Sequence, residues 1–107
     1  MKYLRITLLL LPLFAACDRS DRLPISEDTL VATLVDVQLA EAALAGLSWP
    51  DKDSLTGVYY GQAYARNGVR QEEFTRAMDR LRDDPKRLET VYGRVVERLE
   101  ELRTAEQ

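Results

Sequence analysis

Asp84-Pro85-Lys86-Arg87-Leu88-Glu89-Thr90-Val91-Tyr92-Gly93-Arg94-Val95-Val96-Glu97-Arg98-Leu99-Glu100-Glu101-Leu102 decides the fold class. Asp84 offers a side-chain oxygen to a backbone N–H that a helix start leaves without a partner. Pro85 suits the first helical position, where its missing N–H costs nothing. Leu88, Val91 or Tyr92, Val95, Leu99 and Leu102 then recur every three or four residues, the period of one helix face. Val96 broadens that face. Residues 97–106 become increasingly polar, so the last turns are expected to fray. Two heptads are too few to define a coiled coil, but a short apolar seam of this kind suits a homodimer through the fourth helix.

Moving upstream, residues 71–82 read as a short third helix with Val69, Phe74, Met78 and Leu81 inward. Arg76, Arg80 and Arg82 lie off that stripe. They alternate with Glu72, Glu73, Asp79, Asp83 and Asp84, so they form a solvated ion-pair surface rather than a nucleic-acid site. Asn67-Gly68 is a strong helix stop. Before it, residues 53–67 read as a second helix rich in Tyr59, Tyr60 and Tyr64, with Leu55, Val58 and Ala63 adding apolar area. Gly57 and Gly61 weaken it by up to about 1 kcal/mol each relative to Ala, unless they admit a neighbouring helix.

Ser48-Trp49-Pro50-Asp51 has turn chemistry. Trp49 is the sole Trp and is expected to pack over the domain. Residues 27–45 read as the first helix. Ser26 is its N-cap, Glu27 and Asp28 suit the positive end of the dipole, and Gly46 is placed to end it in the left-handed conformation. Leu30, Leu34, Val37, Glu41 and Leu44 form its stripe, with Val31, Val35 and Leu39 at the flanks. Asp36 and Glu41 are five apart. They do not stack on one face and are expected to make helix-flank hydrogen bonds.

The chain has no His and a single Cys. That removes the usual neutral-pH base, Ser–His and Cys–His arrangements and the commonest transition-metal ligand. The glycines never form a phosphate loop, and Asp51-Lys52-Asp53 lacks the remainder of a calcium loop. No catalytic, cofactor or metal residue is assigned, and no enzyme activity is expected. The residues singled out for a ligand or an interface are Trp49, Tyr59, Tyr60 and Tyr64.

At the other terminus, Met1-Lys2-Tyr3-Leu4-Arg5 precedes an apolar run from Ile6 to Ala16 and then Cys17. A basic start, about a dozen apolar residues and small residues at the end are the parts of a secretory signal peptide. The run is shorter than the roughly 20 residues that span a bilayer. Phe14-Ala15-Ala16-Cys17 resembles a bacterial lipobox. That resemblance implies removal of residues 1–16 and lipidation of Cys17, which would hold the chain on a membrane. Asp18 and Asp21 resemble the acidic residues of surface-export signals. The mature chain would have 91 residues, with 13 basic and 18 acidic side chains, a net charge of −5. Residues 17–25 read as the lipidated Cys and its tether, and residues 26–107 as one small helical domain.

Several segments together resemble a family of small lipoproteins from Bacteroidetes-type bacteria, domain of unknown function 4296. They are Leu34-Val35-Asp36-Val37-Gln38-Leu39-Ala40-Glu41-Ala42, Tyr59-Tyr60-Gly61-Gln62-Ala63-Tyr64 with Gly68-Val69, Glu72-Glu73-Phe74, and Pro85, Leu88, Val91-Tyr92, Val95 and Leu99. The chain departs from the family pattern at Arg70, where Ser or Thr commonly caps the third helix. It departs again at Ala77-Met78 and Arg80-Leu81, where aromatic pairs are frequent. The resemblance implies fold and location and supplies no catalytic residue.

The expectation is therefore an all-α domain of about four helices after a cleaved lipoprotein signal peptide. It is expected on the cell envelope, most readily the outer membrane, periplasmic or surface-exposed. Its expected role is that of an accessory or interaction subunit for an envelope protein, without nucleic acid or cofactor. The competing expectation is a small ligand-binding module with an aromatic cleft.

Overall fold

The computed structural model describes residues 22–106. The leader, Cys17 and the first part of the tether lie outside the described residues. Within them the chain forms four helices and no strand: α1 (Glu27–Ala45), α2 (Asp51–Arg66), α3 (Gln71–Arg82) and α4 (Pro85–Ala105). The all-α class is as expected.

Local chemistry sets most of the boundaries. Ser26 Oγ accepts from the Thr29 N–H at 3.1 Å and starts α1, while Asp84 Oδ1 accepts from the Arg87 N–H at 3.3 Å and starts α4 ahead of Pro85. Arg70 has no side-chain acceptor to offer α3. Glu73 takes over the task, its Oε1 accepting from the Arg70 N–H at 3.0 Å and from Arg70 Nε at 3.3 Å. The backbone N–H holds the Glu73 carboxyl below its ordinary range, and the guanidinium adds to the effect.

Three boundaries differ from expectation. Gly46 is right-handed, with φ −81°, and its N–H donates to Leu44 O. The left-handed stop is Gly68 instead, with φ 65°, where the Val69 N–H reaches back to Tyr64 O at 3.0 Å. α2 starts at Asp51, two residues early, directly after Pro50, which a cis peptide joins to Trp49. α4 stays helical to Ala105. Its polar end does not fray, because Arg98–Glu101 (3.3 Å) and Arg103–Glu100 (2.8 Å) each pair at a three-residue spacing, and such neighbours support a helix.

α1 packs against α2 and α4, while α3 bridges α4 and α2. The core is built by α1, α3 and α4. Leu30, Val31, Leu34 and Val35 meet Ala77 and Leu81 and then Val91 and Val95, with Phe74, Met78, Leu88 and Leu99 at its edge. Leu23 and Ile25 pack on it as well, so the domain's packing begins within the stretch read as tether. Arg94 ties α4 to the start of α1, at 3.0 Å from Glu27 and 2.5 Å from Asp28. These carboxylates hold the guanidinium more firmly protonated, the Asp28 hydrogen bond contributing most. Arg80 donates to the carbonyl of Arg22, fixing the chain's entry beside α3.

α2 contributes far less to the interior. Ala63 is its one fully buried residue among those described. The apolar faces are also narrower than their periodicity suggests. Val96 is 57 % exposed and Tyr92 and Leu102 are exposed too, although all three were expected on the inward face of α4. Adjacent residues lie about 100° apart on a helix, so burying Val95 at the α1 contact turns Val96 outward. Leu39 is likewise exposed.

Candidate functional site

α1 and α2 form an antiparallel hairpin held by two hydrogen bonds, one of them backed by an ion pair. Asn67 Nδ2 donates to Asp36 Oδ2 at 2.8 Å and also to Ala63 O at 2.8 Å. Arg66 stands 3.7 Å from the other oxygen of Asp36. Further along, the Tyr60 hydroxyl donates to Glu41 Oε1 at 3.0 Å. The register runs forward on α1 as it runs backward on α2. Asp36 and Glu41 thus fill the flank role expected of them, each on a different partner.

The Tyr60 hydroxyl is pushed above its ordinary pKa, first by partial burial and then by Glu41, whose accepted hydrogen bond and negative charge both favour the neutral phenol. Burial does the same to Tyr64. Tyr60 thus donates to Glu41 as a neutral phenol.

Between the two helices lies a groove of about 210 Å³, with Asp36, Leu39, Ala40 and Ala43 on one wall and Tyr59, Gln62, Ala63 and Arg66 on the other. The structure does not gather the four singled-out aromatics in it. Tyr59 lines the groove. Tyr60 faces Glu41, and Tyr64 packs on Phe74 with ring centroids 5.1 Å apart. Trp49 is 72 % exposed in the α1–α2 connection, which corrects the expectation that it packs over the domain. Burial on α1 ends at Leu44, and the connection that follows runs at the surface, with Ser48 and Pro50 exposed on either side of Trp49.

Val58, counted among the apolar area of α2, is 51 % exposed. It precedes the buried Ala63 by five residues, about 140° around the helix, and that offset was the available signal. Gly57 and Gly61 do not admit another helix within the domain, since a Cβ at either would meet nothing within 4 Å. Among the described residues no group of three His, Cys, Asp or Glu side chains is placed to hold a metal ion. No helix among them is long and apolar enough to cross a membrane.

A family model described as a domain of unknown function, DUF4296, matches residues 23–105. The chain belongs to this family. The DUF4296 match opens at Leu23, where packing on the core begins, and closes at the end of α4. It takes in the hairpin, both polar contacts and the groove. No curated protein and no solved structure matches the chain.

Proposed function

We propose that this DUF4296 chain is a non-catalytic, lipid-anchored interaction subunit of the bacterial cell envelope that engages a protein partner through its α1–α2 hairpin. The carrying observation is the exposure of Leu39, Trp49 and Val58 on that hairpin, away from the α1–α3–α4 core. Single exposed apolar residues are ordinary on a protein surface. Three large ones spread over one hairpin, on α1, the connection and α2 in turn, point to a surface kept for contact.

The anchor rests on Phe14-Ala15-Ala16-Cys17 behind its basic and apolar leader. Acylation would place Cys17 five residues before Arg22, a reach of at most about 18 Å. Arg22 enters at the α1 N-terminal end. The 19 residues of α1 carry the connection about 28 Å further along its axis. A lipid anchor at one end and Trp49 at the other suit a domain that reaches from an outer-membrane leaflet toward a neighbour.

Two experiments test the reading. Fatty-acid labelling in cells should mark the wild-type chain and not Cys17→Ser; equal labelling contradicts the anchor. In native gels of gently solubilised envelopes, Leu39→Asp with Val58→Asp should free the chain from a larger species. Tyr92→Asp with Val96→Asp should leave that species intact. Loss only with the second pair would shift the interface to α4, whose exposed Tyr92, Val96 and Leu102 support the homodimer reading. The ligand-module alternative has narrower support, since one of its four rings lines a groove smaller than the roughly 300 Å³ at which small-molecule sites begin.

A further inference from the structure

Resting on the interaction reading above, we propose that the partner segment met by the α1–α2 hairpin is cationic: an amphipathic stretch of protein with Lys or Arg beside its apolar side chains. The observation is a charge asymmetry resolved onto the fold. Residues 23–66, through the last residue of α2, hold six acidic side chains and two basic ones, Lys52 and Arg66. Residues 67–106 hold ten acidic and nine basic ones. Most of the net negative charge of the domain therefore comes from α1, α2 and their connection.

The ion pairs sharpen this toward one end. Glu27 and Asp28, at the root of α1, are met by Arg94, and Glu27 also by Arg87 at 3.8 Å. Asp36 has Arg66 and Asn67. Glu41 meets only a neutral phenol in its Tyr60 hydrogen bond, so its charge is not offset there. Asp51 and Asp53 are exposed and take part in none of the ion pairs among the described residues. Both stand within four residues of Trp49. The uncompensated acids thus lie at the end of the hairpin that carries the most exposed large apolar side chain.

Charge also argues against other occupants. An anionic bilayer surface is repelled by this end. A second copy would bring another acidic hairpin or a nearly charge-balanced α3–α4 face. A cationic amphipathic segment satisfies both features at the connection end of the hairpin, its apolar side chains against Trp49 and its cations toward Asp51 and Asp53. Steering by such charges raises the association rate and is weakened by salt.

Trp49, as the sole Trp, reports its own burial. The probe is a Trp-free amphipathic peptide of Leu and Lys about 18 residues long, enough to form a helix on binding, added to the purified full-length chain. The control peptide carries Glu at every Lys position. The Lys peptide should shift Trp49 emission to the blue with saturation. The apparent Kd should rise at least about fivefold between roughly 0.05 and 0.5 M salt. Asp51→Asn with Asp53→Asn, whose helix content is checked by circular dichroism, should weaken it by a comparable factor. The Glu peptide should give no shift. Four results overturn the proposal: no shift with the Lys peptide, an equal shift with the Glu peptide, indifference to the double Asn variant, or a blue shift produced by anionic phosphatidylglycerol vesicles or by concentrating the protein alone. If Leu39→Asp with Val58→Asp leaves the native-gel species intact, the interaction reading itself fails. If that species is lost but the peptide assay shows no dependence on charge, only the cationic partner fails.

Discussion

Asn67 Nδ2 donates to Asp36 Oδ2 across 2.8 Å and so joins the end of α2 to the middle of α1. The same amide holds Ala63 O at 2.8 Å, so one side chain closes its own helix and fastens it to the neighbour. Because α2 has so little buried apolar surface, this contact sets the hairpin register. Asn67→Ala should lower stability by about 1.5–3 kcal/mol, the range for a hydrogen bond to a charged group. Tyr60→Phe, at a more exposed pair, should cost less. Urea unfolding of each variant measures the difference, and a cost for Tyr60→Phe above that of Asn67→Ala would reverse the order of the two contacts.

The core that α3 and α4 share and the open flank of α4 give a second contrast. Leu81 and Val95 are buried in the same core cluster, while Val96 is exposed. Leu81→Ala should cost about 2–5 kcal/mol, and Val96→Ala should stay within about 0.5 kcal/mol. Equal midpoints in denaturant would show that Leu81 does not sit in a close-packed interior.

Glycine substitutions should move stability in opposite directions. Gly61 lies in α2 with open space where a Cβ would be, so Gly61→Ala should stabilise by about 0.5–1 kcal/mol. Gly68 has φ 65°, where an L side chain is strained, and Gly68→Ala should destabilise by about 1–2 kcal/mol. For a domain of this size 1 kcal/mol moves the Tm by roughly 4–8 °C, so thermal melts resolve both signs.

The cap of α3 should be sensitive to acid. The folded-state pKa of Glu73 is depressed by the Arg70 N–H. Its contribution is therefore present in full above the ordinary carboxylate pKa and is lost as pH falls through the lower, folded value. Glu73→Gln should melt below wild type at pH 7, and the gap should close toward pH 3. A gap that widens in acid would mean that the Glu73 carboxylate does not cap the helix.

Much of this fold was legible from local chemistry. Ser26 and Asp84 announced two helix starts, and Asn67-Gly68 a stop, because each residue acts on backbone groups within a few positions of itself. The α2 start was obscured because Pro50 and Asp51 read equally well as a turn and as a first helical residue. Exposure of Leu39 and Val96 was not legible, because periodicity marks which face is apolar and not how much of it a neighbour covers. At the site, Asp36 and Glu41 could be read as flank hydrogen-bonders. Their partners, Asn67 and Tyr60, depend on the antiparallel register, which no local pattern states. Trp49 was misplaced for a related reason: its ring area argued for packing, but burial on α1 ends at Leu44 and the connection runs at the surface.

The most direct measurement is site-specific photo-crosslinking in intact cells, with the reactive side chain placed at Trp49 in one strain and at Val96 in another, each in the full-length chain. Position 49 should yield a discrete adduct with another protein, and that adduct should weaken when Asp51 and Asp53 are both replaced by Asn, while position 96 yields none of it. The same adduct from position 96 alone, or no protein adduct from position 49 while the chain is present at normal abundance, would contradict engagement through the α1–α2 hairpin.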